Sequence, residues 1–154
     1  MKQKLNTKPF GVVEIDERQI ISFPDGILGF EDIRHFALLD SNEDNSPFKW
    51  LQACEETSLA FVVITPESFM TGYEPDISQS DLAAVDCVRA EDLLVLCIVT
   101  IPEDPAKMTA NLQGPVIINR EKRIGRQAIS MSEKYSVRHF ILEEAKKAAG
   151  IGGE

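Results

Sequence analysis

Short apolar runs separated by turn residues dominate this sequence, and they constrain its fold more than any other feature. Each run alternates apolar and polar residues or is rich in β-branched residues, which is typical of β-strands. We predict eight strands, at 11–15, 19–23, 35–39, 48–52, 59–65, 93–101, 115–119 and 126–130. Many short strands predict an all-β fold with one or two short helices, in which an antiparallel sheet closes, or nearly closes, into a small β-barrel-like single domain.

Turn residues between the runs predict how the chain reverses. Asp16, Glu17 and Arg18 separate the first two runs and have the length of a turn that closes a hairpin. Proline fixes φ and glycine admits positive φ, so Pro24 and Gly26 predict a sharp turn after the second run. We therefore expect the fold to open with a hairpin formed by 11–15 and 19–23.

One short helix is predicted between the strands. Ser78 and Asp81 have the spacing of a capping box, and Leu82 and Val85 follow at helical spacing. The end of the chain is rich in Ala, Lys and Gly, and its last glycines disfavour a helix. We therefore predict a domain over residues 1–142 and a flexible C-terminal tail over 143–154.

Length and apolar content are those of one cytoplasmic domain. The chain has 154 residues, and its longest apolar run, 93–99, is far shorter than the roughly 20 residues of a membrane-spanning helix. No apolar stretch follows the first lysines, so a secretory signal is not predicted. The three cysteines (Cys54, Cys87 and Cys97) form no C-x-x-C pair, which fits free thiols in a reducing compartment.

Charge is unevenly distributed along the chain. The net charge is −9, and residues 40–104 alone carry 14 acidic side chains against Lys49 and Arg89, a net of −12. Residues 105–154 carry a net of +4. An acidic field of this strength repels phosphate backbones and attracts basic proteins. We therefore expect no direct nucleic-acid binding and a basic protein partner.

Chemistry-bearing motifs are scarce. Neither His35 nor His139 has a second His or Cys at helical spacing, and we expect no metal site at either. Residues 40–51 begin like a calcium-binding loop, but Asn45 replaces the required glycine and Leu51 the required glutamate. The common nucleotide-binding and hydrolase motifs are absent. We predict no catalytic residue, no metal and no cofactor.

A series of glycine, proline and aromatic motifs carries a family resemblance. In chain order they are FPDGILGFE at 23–31, PFKWLQ at 47–52, LAF at 59–61, VTIP at 99–102 and TANLQGPVIIN at 109–119. This series resembles the flagellar assembly factor FliW family over roughly residues 10–140, which leaves the C-terminal tail outside the resemblance.

The resemblance implies a non-enzymatic regulator with a small β-barrel fold. Members of the family bind the translational regulator CsrA and hold it off its messenger RNA, and they bind flagellin. Unexported flagellin then occupies the FliW-like protein and releases CsrA to repress flagellin synthesis. The resemblance favours noncompetitive antagonism, although direct occupation of the RNA site is the alternative. We expect a monomer, because the high net charge disfavours self-association.

Candidate partner-binding residues lie in the acidic segment. In the loop 71–77, Tyr73 and Pro75 alternate with acids and would supply apolar contact area. An alternative is that the acids only keep the surface soluble. The candidates are Tyr73, Glu74, Asp76, Asp81, Glu91 and Asp92.

A groove for flagellin is a second expectation. Flagellin is expected to offer an amphipathic terminal helix, which needs an apolar groove. Phe23, Phe30, Phe48 and Trp50 could line it, and the alternative is that they fill the barrel. A different function class, a small-molecule-binding barrel or an enzyme, would instead need a hollow interior with convergent polar groups.

Overall fold

The computed structural model describes residues 2–40 and 46–148 of the chain, and within them β-structure dominates. The strands are β1 Lys2–Thr7, β2 Gly11–Asp16, β3 Ile20–Ser22, β4 His35–Asp40, β5 Phe48–Ala53, β6 Ala60–Ile64, β7 Leu94–Thr100, β8 Thr109–Ala110, β9 Val116–Asn119, β10 Ile124–Gln127 and β11 His139–Phe140. The two α-helices are α1 Gln79–Ala84 and α2 Ile141–Ala148. This composition confirms the all-β prediction.

Seven strands form a closed barrel. Hydrogen-bonded pairs run in the order β3-β4-β5-β6-β7-β9-β10, and β10 pairs back to β3. The closing pair is parallel, with Ile124 opposite Ser22, whereas the other pairs in the ring are antiparallel. The barrel prediction is therefore confirmed, with one parallel pair closing an otherwise antiparallel ring.

Large apolar side chains fill the barrel. Phe23, Phe36, Leu51, Leu96 and Ile118 are all fully buried and belong to one cluster. Alternate residues of a strand point to opposite faces, so one face of each strand supplies this cluster. The interior of the barrel is thus occupied by protein side chains.

The predicted first hairpin is wrong. β2 pairs with β1, the unpredicted N-terminal strand, from Lys2 opposite Asp16 to Thr7 opposite Gly11. Sequence patterns missed β1 because it carries a single large apolar residue, Leu5. After β2, the Asp16 side chain accepts a hydrogen bond from the Arg18 N–H and caps a short 3₁₀ turn, which sends the chain on into β3 of the barrel.

The β1–β2 hairpin covers the outside of β4 and β5. Ile15 of the hairpin packs in one cluster with Ala37, Leu39 and the half-buried Trp50. Gln52 links the two layers, since its Oε1 accepts the Lys8 N–H at 2.8 Å. Both faces of β4 are therefore buried, one in the barrel and one beneath the hairpin.

Local signals placed α1 correctly. Ser78 is its N-cap, and the Ser78 Oγ accepts the Asp81 N–H at 3.1 Å. The last predicted strand is displaced, because β10 covers 124–127 and not 126–130. Its ladder nevertheless continues, with Ala128 N donating to Pro115 O and Ser130 N donating to Gln113 O.

The helix α2 covers the first part of the predicted C-terminal tail. Ile141 is 4% exposed and packs with Ala145 against the end of the barrel, at the i, i+4 spacing of one helix face. His139 Nε2 accepts the Ser136 N–H, so Nδ1 donates to Glu144 Oε2 at 2.8 Å. The glycines that favoured a flexible tail follow residue 148 and lie outside the described part of the chain. Residues 41–45 of the rejected calcium-binding loop also lie outside it.

Candidate protein-binding surface

The predicted acidic loop, residues 71–77, is held firmly against the C-terminal segment. Tyr73 donates from its hydroxyl to Leu112 O at 2.6 Å, and its ring meets the edge of Tyr135 with centroids 4.6 Å apart. Tyr135 in turn accepts the Glu74 N–H at 2.9 Å. Burial raises the pKa of the Tyr73 phenol, so this side chain stays a neutral donor. Tyr73 is therefore an anchor of the loop.

A second set of backbone bonds fixes the loop at Asp76. The Asp76 N–H donates to Ser130 Oγ at 3.0 Å, and Asp76 O accepts the Met131 N–H at 3.1 Å. The side chains of Glu74 and Asp76 remain exposed. The loop thus presents two carboxylates on a fixed backbone, an arrangement suited to binding cationic side chains at little entropic cost.

Asp81 has an internal role, which argues against the predicted partner contact. It is 8% exposed, and its Oδ1 accepts from Arg126 Nε at 2.7 Å. Arg126 also donates from Nη1 to Asp25. The hydrogen bond that Arg126 donates to Asp81 raises the pKa of the Arg126 guanidinium. Arg126 of β10 therefore binds both Asp81 of α1 and Asp25 of the loop after β3. Asp81 thus stabilises the fold.

Glu91 and Asp92 lie apart from the acidic loop. Both are exposed in a short 3₁₀ turn before β7, and Glu91 pairs with Arg89 at 2.7 Å. Asp92 lines an open depression beside Asn119, at the C-terminal end of β9. Asp76 lies beside Ser130, which bonds Gln113 before the start of β9. The predicted acids are therefore divided between opposite ends of β9.

The four aromatic residues do not form a common groove, which corrects that expectation. Phe23 is fully buried in the barrel, and Phe48 packs in the cluster beneath α2. Trp50 lies under the β1–β2 hairpin, with its ring centroid 6.2 Å from that of Phe10. Phe30 alone of the four is exposed, and it rests edge-on against Phe61. Phe23, Phe48 and Trp50 therefore each pack in a different part of the fold.

Sequence reasoning missed several residues of this surface. Arg126, Ser130 and Tyr135 bind or anchor the acids, and Ile129 and Met131 are exposed. The alternation over 126–130 was visible in the sequence, but alternation by itself does not say which of the two faces is buried.

Among the titratable groups elsewhere in the described residues, His35 is paired and Cys97 is buried. His35 Nδ1 lies 3.0 Å from Glu55 Oε2, and burial raises the pKa of the Cys97 thiol to about 12. Among residues 2–40 and 46–148, no group of three or more His, Cys, Asp or Glu is placed to hold a metal ion. No helix in the same part of the chain is long and apolar enough to cross a membrane.

Comparison with known proteins gives a consistent result. Residues 4–141 match the family described as "FliW protein". A flagellar assembly factor FliW of Leptospira interrogans serogroup Icterohaemorrhagiae serovar Lai is 50% identical over 96% of this chain and 98% of its own length. One from Thermoanaerobacter pseudethanolicus is 43% identical over 94% and 97%, respectively. A crystal structure of the flagellar assembly factor FliW matches with a TM-score of 0.81 and 34% identity, covering 90% of this chain and 96% of that one.

Proposed function

Because the chain belongs to the FliW family of flagellar assembly factors, we propose that it is a cytoplasmic regulator that acts by binding other proteins. In this proposal it binds the translational regulator CsrA and antagonises CsrA repression of flagellin mRNA. It also binds flagellin as a chaperone-like partner. Accumulated flagellin then displaces CsrA, so that export controls synthesis.

One observation carries the CsrA part of the proposal: Glu74 and Asp76 are exposed on a backbone that Tyr135 and Ser130 hold in place. CsrA binds RNA and must therefore carry basic surface. Fixed carboxylates attract such a surface, increase the rate of encounter and exclude RNA from the same face. Antagonism then follows from contact with the protein, without nucleic-acid binding by this chain.

Flagellin binding rests on less specific support. An amphipathic helix needs exposed apolar side chains on the protein that receives it. Phe30 meets this requirement, whereas Phe23 does not because it is buried in the barrel. Flagellin binding is therefore proposed for the whole chain without a defined groove.

The filled barrel favours protein binding over the alternative of a small-molecule barrel or an enzyme. A ligand-binding barrel keeps an interior cavity lined with a few polar groups. Here Phe23, Phe36 and Leu51 occupy the interior. The relatives are named as assembly factors, which also supports a non-catalytic role.

A charge-reversal experiment tests the CsrA assignment. The variant Glu74→Lys/Asp76→Lys should weaken CsrA binding, measured by calorimetry, and the loss should be larger at low salt than at high salt because screening removes long-range attraction. The matched control is Glu103→Lys/Glu121→Lys, which makes the same change in net charge at two exposed acids that are not candidate contacts. A smaller loss of CsrA affinity in the control than in the loop variant indicates that Glu74 and Asp76 contact CsrA directly.

The outcomes separate the proposal from its alternatives. An unchanged affinity in the loop variant removes the assignment of Glu74 and Asp76. Equal losses in both variants indicate an effect of net charge only. If the wild-type chain captures neither purified CsrA nor purified flagellin, the regulatory function is wrong.

A further inference from the structure

An exposed apolar stripe runs along the outside of the molecule. Leu28, Ile129 and Met131 are 61%, 48% and 68% exposed, and we call these three residues the apolar stripe. Single exposed apolar residues are common on protein surfaces, whereas a contiguous set flanked by polar residues is typical of an interaction site.

Backbone geometry makes the stripe contiguous. The Leu28 N–H donates to Gln127 Oε1 at 3.1 Å, which places Leu28 at the end of β10. Beyond β10, the buried Ala128 and Ser130 bond Pro115 and Gln113, so the chain stays extended with Ile129 and Met131 facing outward. At about 3.3 Å per residue, positions 127–131 span about 13 Å.

Acidic side chains border both ends of the stripe. Asp25 and Glu31 line the depression beside Leu28, together with Arg126. At the other end, the Met131 N–H bonds Asp76 O, and Glu74 lies two residues earlier in the same loop.

Basic side chains offset these acids only in part. Arg126 is bound by Asp25 and Asp81, and Arg34 donates from Nε to Glu31 O at 3.2 Å. With the exposed Asp32, the Leu28 end carries four acids against these two guanidinium groups. Glu133 and Lys134, which follow Met131 in sequence, cancel each other in charge. The stripe is therefore bordered by net negative charge at both ends.

We propose that the apolar stripe, with the acids at its two ends, is the docking surface for a cationic RNA-binding protein. Aliphatic side chains of the partner cover Leu28, Ile129 and Met131, and its Lys or Arg side chains lie over the acids. This inference rests on the proposed function, since it specifies where the CsrA-like partner is bound.

Charge complementarity selects this occupant over others. Phosphates of RNA or anionic lipid headgroups would meet carboxylates at both ends of the stripe. A second copy docked by the same surface would place these acids against identical acids. A basic protein surface with apolar side chains between its cations satisfies both the apolar and the charged part of the site.

The test removes the apolar contacts without changing charge. The variant Ile129→Ser/Met131→Ser should lose at least about tenfold in affinity for purified CsrA, as expected when anchoring apolar residues at an interface are removed. The loss should be nearly the same at low and high salt, unlike that of the charge-reversal variant. The matched control is Val12→Ser/Val88→Ser, which removes two exposed apolar side chains outside the stripe and should bind like wild type.

Each alternative result is decisive. Unchanged CsrA affinity in the stripe variant, with wild type binding normally, overturns this inference and leaves the proposed function intact. Loss of flagellin binding alone, or a change of oligomeric state in sedimentation, assigns the stripe to another occupant and also overturns it. If the wild-type chain does not bind CsrA, both this inference and the CsrA part of the proposed function are wrong. Equal thermal unfolding midpoints for the variants and wild type exclude misfolding as the cause.

Discussion

The ring of Phe23 lies directly against the backbone of Gly125, so closely that a β-carbon added at Gly125 would lie 2.6 Å from Phe23 Cζ. This contact occurs where the barrel closes, since the residues just before them, Ser22 and Ile124, form the parallel pair of β3 and β10. Phe23 therefore packs in the core because Gly125 leaves room for its ring.

The variant Gly125→Ala should destabilise the fold by about 1–3 kcal/mol, because overpacking forces a buried ring or its backbone to shift. Urea unfolding followed by tryptophan fluorescence measures the loss. The double variant with Phe23→Leu provides the control: the smaller side chain relieves the clash, so the two effects should be less than additive. Full additivity would contradict the contact.

Asp81→Asn should lower the free energy of unfolding by about 1–3 kcal/mol. The change removes the negative charge of a nearly buried side chain that accepts from Arg126 Nε at 2.7 Å, and hydrogen bonds between charged groups contribute more than neutral ones. Asp76→Asn is the matched control, since that side chain is exposed and its variant should stay within about 0.5 kcal/mol of wild type. Equal effects in the two variants would refute the internal role of Asp81.

The pH dependence of stability should include a contribution from Asp16. Hydrogen bonds from the backbone and then the side chain of Arg18 lower the pKa of Asp16 from its ordinary value of 3.8 to about 2. A lowered carboxyl pKa stabilises the folded state above the unfolded pKa, and this contribution is lost as pH falls through the folded pKa. The free energy of unfolding of Asp16→Asn should therefore differ most from that of wild type above about pH 4, and the two values should converge near pH 2.

Two measurements check this prediction. Urea unfolding midpoints between pH 2 and 6 follow the convergence, and NMR titration of the Asp16 carboxyl carbon reports its pKa directly. Asn still caps helices well, so the variant isolates the charge from the capping hydrogen bond. A titration midpoint near 4 would contradict the lowered pKa.

Ile141→Ala should destabilise the protein by about 2–4 kcal/mol, because Ile141 is buried in the cluster at the end of the barrel. Leu142→Ala is the control in the same helix, since Leu142 is largely exposed and its loss should cost under about 0.5 kcal/mol. Chemical unfolding of both variants makes the comparison. Similarly small losses of stability in the two variants would mean that α2 does not pack against the end of the barrel.

Most single elements were predictable because their signals are local. The alternation in 35–39 and 48–52 corresponds to β4 and β5, and the Ser78 cap corresponds to the start of α1. Failures came where local signals were weak or incomplete. β1 has few apolar residues, and the short amphipathic pattern of α2 is followed at once by glycines that disfavour a helix.

The candidate site was predicted only in part. The loop with Glu74 and Asp76 is exposed as expected, but Asp81 turned inward because Arg126, 45 residues away in sequence, offered a partner. Phe23, Phe48 and Trp50 pack in three separate clusters, and Phe30 is exposed. Exposed Ile129 and Met131 resembled core residues in the sequence, because apolar character alone does not indicate burial.

By itself, the sequence determined where most strands and α1 lie, the acidic field of residues 40–104 and the family motifs, because these depend on residues close together along the chain. Tertiary structure alone decided that β10 closes the barrel parallel to β3, and which face of each strand is buried. Strand pairing joins residues that are distant in sequence, and a period of two defines two faces without saying which one points inward. The partner-binding surface depends on that choice.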